Sequence, residues 1–253
     1  MTNRVLEDDA PSLPLTLVDA LVFWLRNQFV FWLTALPIAG LGAGVTYVLQ
    51  ADRQFIDWRD HWGWDFLFVL IYAMFLDRWI KESLLEDASP CDEVDELRRS
   101  TVAVRFLTFA AVLCLLATAL ALVVPAELGL LPCVAVASLF VLILPGLAAA
   151  EPISLSQAFA LGRTRQLPLF LLIGGAAGLS LLAGVGLQWA AGYLPDKPWN
   201  AAAVAAGHRL IDCLLLAFVG YALAAIFRQL TDWQQPESED HPFRGMRLRA
   251  RKA

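Results

Sequence analysis

Apolar residues in this chain do not alternate with polar ones and do not form a narrow stripe. They come in unbroken runs, and a helix needs about 20 apolar residues to cross the hydrocarbon core of a bilayer. Six runs qualify, at roughly 28–50, 62–80, 104–125, 128–150, 167–191 and 207–229. The period-2 alternation of a transmembrane barrel is absent from the sequence. Backbone in lipid must satisfy its own hydrogen bonds, so helices remain. The predicted fold class is all-α and polytopic, with six transmembrane helices, two interfacial amphipathic elbow helices and a parallel internal repeat. The polar stretches divide the chain into an N-terminal tail 1–12, a single membrane domain 13–230 and a basic C-terminal tail 231–253.

The repeat is read from two segments 138 residues apart. Pro14-Leu15-Thr16-Leu17-Val18-Asp19-Ala20-Leu21 aligns with Pro152-Ile153-Ser154-Leu155-Ser156-Gln157-Ala158-Phe159, and Gln28 aligns with Gln166. Each copy has a hydroxyl residue followed three positions later by an acceptor, Thr16 with Asp19 and Ser154 with Gln157. That is a capping box, so each copy is predicted to start a short helix. In the second copy Ser156, Gln157, Arg163 and Thr164 share one arc, while Leu155, Ala158, Phe159 and Leu161 lie opposite. This is the pattern of an interfacial amphipathic helix. The predicted units are 13–80 and 152–229, with the hairpin 104–150 inserted between them. Both copies begin on the same side, so the pseudo-axis runs along the membrane normal.

Composition agrees with a membrane chain: of 253 residues, 58% are hydrophobic and only 17% charged. The net charge of −5 hides a segregation of signs. Acids crowd 82–96, and Arg244, Arg247, Arg249, Arg251 and Lys252 crowd the C-terminus. With six spans, the side holding both termini collects 15 of the 19 Lys and Arg residues, which predicts cytoplasmic termini. Glu7, Asp8 and Asp9 are the wrong charge for the start of a signal peptide. No basic groove with interleaved aromatics is present, so no nucleic-acid partner is expected.

The stretch Pro145-Gly146-Leu147-Ala148-Ala149-Ala150-Glu151, running into Ser154 and Ala158-Phe159-Ala160-Leu161, resembles the signature of the bacterial YciC-like proteins. It is also similar to the membrane domain attached to some glycerophosphodiester phosphodiesterases. Where that group often has a Ser and a Gly near the end of the elbow, this chain has Gly162 and Gln166. The resemblance implies an integral inner-membrane protein of six spans with an N-terminal elbow helix and no well-defined activity. It carries over no catalytic residue.

Two constellations could carry chemistry. The first is a pair of His-x-x-x-Asp motifs, His61 with Asp65 and His208 with Asp212, each with both side chains on one helix face. These four residues could hold a divalent metal or form a proton or ligand site. They could also do no more than stabilise helix starts, and Trp62 and Trp64 point to an interfacial depth. That third reading is favoured, so no metal or other cofactor is assigned. The second constellation is the cytoplasmic basic set Arg78, Lys81, Arg163, Arg165 and Arg228. It would contact anionic head groups of membrane lipids or another membrane protein. Glu151, between the fourth run and the second elbow, is expected to pair with Arg163 or Arg165 and latch the elbow to the bundle.

No nucleophile elbow, Walker loop, H-E-x-x-H or dinucleotide fingerprint is present, so the chain is not read as an enzyme. The expected function is a non-enzymatic inner-membrane protein that binds lipid or scaffolds other proteins in envelope maintenance. The alternative is a small transporter or lipid-handling permease with a site at the repeat interface, using Asp65 and Asp212. A shortage of charge at mid-depth of the spans weighs against that alternative.

Overall fold

A computed structural model describes residues 13–51, 58–86, 92–99, 108–109, 112, 126–151, 153–195, 197–231 and 233. Within these, only the backbone is described at 50–51, 58–66, 92–93, 98–99 and 126–130. Every element is helical among the described residues: α1 (Leu13–Arg26), α2 (Gln28–Ala51), α3 (Trp58–Leu84), α4 (Asp92–Arg99), α5 (Ala126–Phe140), α6 (Ile143–Ala148), α7 (Leu155–Thr164), α8 (Gln166–Ala191) and α9 (Pro198–Thr231). Among the described residues, four stretches are long and apolar enough to cross a membrane. They are Gln28–Leu49 in α2, Leu131–Ala148 across α5 and α6, Gln166–Ala191 in α8 and Pro198–Thr231 in α9. The run predicted at 62–80 is helical within α3 but includes Asp65, Asp77 and Arg78. The run predicted at 104–125 lies almost wholly outside the described residues.

The last helix corrects the sequence reading. It begins at Pro198, nine residues before the predicted start at 207. Proline suits a first helical position because its missing N–H would have no partner there. Asn200 ties down the start, its Nδ2 donating to Pro195 O at 2.6 Å. The alanine-rich segment that follows favours helix without being strongly apolar. At 1.5 Å per residue the 34 residues of α9 extend about 51 Å.

Helix α9 is the hub, packing against α1, α2, α3, α6 and α8, while α5 packs against α7 and α8. Two apolar clusters fill the interior. One gathers Phe23, Phe31, Phe75, Trp79 and Tyr221 from α1, α2, α3 and α9. The other joins Ile80, Leu84, Leu144, Leu169, Leu223 and Phe227 from α3, α6, α8 and α9, together with Leu142 from the connection between α5 and α6. In the first cluster Phe23 and Phe31 meet Trp79 edge-on, with ring centroids 5.5 and 6.0 Å apart.

Both elbow helices form, and each breaks at one residue. Helix α1 ends at Arg26 and α2 starts at Gln28; α7 ends at Thr164 and α8 starts at Gln166. The capping box predicted at the second copy is present: Gln157 N–H donates to Ser154 Oγ at 3.3 Å, and Ser154 N–H donates to Gln157 Oε1 at 2.8 Å. The first copy differs. Helix α1 already runs from Leu13, so Thr16 lies inside it and is buried rather than capping it. Pro14, pre-set for a first helical turn, lets that helix begin earlier.

Glu151 is placed by a turn that hides from composition. Ala150 adopts φ 57°, the left-handed region where glycine is usual. Around it Glu151 N–H donates to Gly146 O at 3.0 Å and Ala150 N–H to Leu147 O at 3.3 Å, which closes α6 with a Schellman pair. The turn leaves Glu151 exposed. No ion pair joins it to Arg163 or Arg165 among the described residues, so the expected latch is not formed. The elbow is held by close packing instead. Gly162 lies against the backbone of Leu139, where a Cβ would overlap the Leu139 carbonyl. Ala158 is buried beside it. Leu161 packs against the core and the Phe159 ring lies 5.9 Å from that of Phe140, while Leu155 stays exposed.

Candidate functional site

A polar layer crosses the bundle at mid-height. Tyr72, Ser180 and Asp212 are each the fifteenth residue of their helices, α3, α8 and α9, and Gly42 is the fifteenth of α2. The sequence reading set His208 and Asp212 at an outer helix start. The additional turns of α9 before His208 move both to the middle.

Helical spacing puts His208, Arg209 and Asp212 toward neighbouring helices within one turn. The carboxylate is held on both oxygens. Tyr72 Oη donates to Asp212 Oδ2 at 2.8 Å, and Ser180 Oγ donates to Asp212 Oδ1 at 2.5 Å. Arg209 stands further off, its Nη1 3.8 Å from Asp212 Oδ2. The same Nη1 donates to Tyr72 Oη at 3.3 Å, so the tyrosine sits between cation and anion. The guanidinium also stacks on Phe68, 3.9 Å from the ring centroid, which suits a cation partly removed from water. Gly42 makes room for this side chain: a Cβ there would come 2.8 Å from Arg209 Cγ.

His208 reaches the layer from the other side. Its Nε2 lies 3.2 Å from the carbonyl oxygen of Ser180, 3.5 Å from Ser180 Oγ and 3.7 Å from Asp212 Oδ1. A carbonyl only accepts, so Nε2 carries the hydrogen. Gly184 opens the surface of α8 here, since a Cβ would sit 3.2 Å from His208 Nε2.

Two cavities lie along the seam of α8 and α9, one on each side of this layer. The first, of 370 Å³, is lined by Ile173, Ala176, Leu215, Leu216 and Val219 and ends on Tyr72, Ser180 and Asp212. The second, also 370 Å³, is lined by Thr46, Gly184, Leu187, Gln188 and Val204 and ends on His208. Such a site offers an apolar wall with a few convergent polar groups, the usual character of a small-molecule pocket.

The other predicted residues are dispersed. His61 and Asp65 belong to α3, but their side chains lie outside the described residues. No group of three His, Cys, Asp or Glu side chains gathers around one point among the described residues. The basic set is divided. Lys81 is 1% exposed and its Nζ lies 3.2 Å from Asp77 Oδ1, so it is not available to a head group. Arg78 pairs with Glu82 at 2.7 Å. Arg163 is exposed, Arg165 and Arg228 are half-buried, and none of the three has an ion-pair partner among the described residues. Sequence reasoning passed over Ser180 and gave Tyr72 no chemical role. A single hydroxyl in a Gly- and Leu-rich span was the signal for Ser180.

The chain matches no protein-family model, no curated protein and no solved structure.

Proposed function

We propose that the chain is a small permease of the bacterial inner membrane that takes an amphipathic, lipid-like solute into the seam between α8 and α9. The observation that carries this reading is the polar layer of Tyr72, Ser180, His208, Arg209 and Asp212, with a cavity on each side. Ionisable groups at such a depth are costly in a membrane and mark substrate or ion pathways. The charge that the sequence reading found missing at mid-depth is supplied by Arg209 and Asp212. The first cavity would hold the apolar body of a solute while Tyr72, Ser180 and Asp212 meet its polar head.

The reading includes six spans, with both termini cytoplasmic and a parallel duplication of 13–80 and 152–229. The two helix breaks support the duplication, because they fall 138 residues apart, the offset of the sequence repeat. Two departures set the copies apart. Helix α1 starts earlier than its counterpart, and α9 packs on α2 whereas α3 has no comparable contact with α8.

Native mass spectrometry of the gently extracted protein tests the reading. A stoichiometric amphipathic molecule is expected on the wild type and lost in Ala176→Phe, whose ring fills the first cavity. A bare wild type, or a variant that keeps the same molecule, overturns it.

A second reading, contact with anionic lipid, rests on the absence of ion-pair partners for Arg163, Arg165 and Arg228 among the described residues. Each such residue contributes about 1 kcal/mol near an anionic surface. Arg163→Gln with Arg165→Gln should then lower the number of anionic lipids retained in the same spectra. Unchanged retention rejects that reading.

A further inference from the structure

We propose that His208, Ser180 and Asp212 form a proton relay that joins the two cavities, so that the seam conducts protons. The proposal deepens the permease reading and rests on it for the identity of the path. Three observations carry it. Each cavity ends on a different titratable group, Asp212 in the first and His208 in the second. The Ser180 hydroxyl touches both, donating to Asp212 Oδ1 at 2.5 Å and lying 3.5 Å from His208 Nε2. Finally, His208 and Asp212 stand 3.7 Å apart, beyond direct hydrogen bonding, so the hydroxyl is their link.

The transfer balances without another reactant. A proton arriving from the second cavity binds His208 Nδ1, which makes no hydrogen bond among the described residues. The imidazolium then turns its Nε2 hydrogen from the Ser180 carbonyl, 3.2 Å away, to Ser180 Oγ, 3.5 Å away, and passes it on while the Ser180 hydroxyl hydrogen moves to Asp212 Oδ1. His208 ends neutral with its proton on Nδ1, Ser180 is again a hydroxyl, and Asp212 is a carboxylic acid facing the first cavity. The ring regains its starting tautomer by exchanging protons with the second cavity.

The surroundings of Asp212 fit this direction. Helix α9 contributes His208, Arg209 and Cys213 as charged or titratable groups, α3 contributes Tyr72, and α8 contributes only the Ser180 hydroxyl. Helix α2 contributes Gly42 and Thr46, neither of which titrates. Arg209 and Tyr72 engage Oδ2 and leave Oδ1 to the relay.

The test is proton entry into vesicles of the full-length protein that enclose a pH-sensitive dye, after an external acid step, with potassium and valinomycin balancing charge. Wild-type vesicles should acidify faster than protein-free ones. Ser180→Ala should slow entry at least about tenfold, the scale of losing one proton-transfer group, and Asp212→Asn should do the same. Ser180→Thr keeps a hydroxyl and should stay close to the wild-type rate, which separates the relay from a merely structural role. Wild-type vesicles no faster than protein-free ones, Ser180→Ala at the wild-type rate, or Ser180→Thr as slow as Ser180→Ala each overturns the relay. Proton entry without a bound amphipathic molecule would remove the permease reading alone. A bound molecule without proton entry would remove the relay alone.

Discussion

Helices α2 and α8 each follow a shorter helix across a one-residue break, yet they bury very different shares of themselves. Of the apolar window of α2, 28% is buried, against 11% for α8. On α2 the buried positions are Phe31, Ala35, Ile38, Ala39 and Gly42, a helical stripe laid along α9. On α8 only Leu169 and Leu172 are buried, both near its start, and Gly175, Gly178 and Gly186 face open space. A local signal thus makes the break, but the surface beyond it decides what the helix becomes. Phe31 and Ile38, with Ala35, Ala39 and Gly42 on the same stripe, seat α2 in the core. Small residues leave α8 standing off at mid-height, and that gap is where the cavities and the polar layer lie.

The largest test of this contrast is Trp79→Ala. It removes a ring that is 1% exposed and packed against Phe23, Phe31 and Phe75. Reversible unfolding in mixed detergent should show a loss of about 3–5 kcal/mol. Leu182→Ala, on the exposed face of α8, should stay within about 0.5 kcal/mol. Equal losses would end the distinction between a packed side and an open one.

Next comes Gly162→Ala, which forces α7 away from the Leu139 backbone. Overpacking of this kind costs about 1–3 kcal/mol, and protease cutting near Arg163 should rise. Unchanged cutting would mean that the elbow is not held at that crossing. The smallest effect is a gain. Ala150→Gly relieves the left-handed backbone at φ 57° and should raise stability by about 1 kcal/mol. A loss would show that the methyl group of Ala150 contributes more to packing than its backbone costs.

Much of the fold was legible because its signals are local. The apolar runs, the breaks after Arg26 and Thr164 and the Ser154–Gln157 capping box depend on a few adjacent residues. The start of α9 was not legible, because alanines continue a helix without looking like a membrane span. That one boundary hid the depth of the site. Burial of Lys81 was foreshadowed by Asp77 four residues before it, although the spacing alone does not tell a core pair from a surface pair. The missing latch has a similar origin: nothing in the letters of Ala150 announces a left-handed turn. Of the site itself, the sequence supplied His208 and Asp212. Tyr72 comes from a helix 140 residues away and Ser180 from the helix just before α9, and only packing brings them to Asp212.

The position of Asp212 halfway along α9 has an electrical consequence. A whole elementary charge crossing an energised membrane changes energy by about 2.3 kcal/mol per 100 mV, so a proton stopping at mid-height feels about half of that. Occupancy of Asp212 would therefore follow the voltage of the cell as well as its acidity. The proposed site would register the energised state of the membrane before any solute arrived.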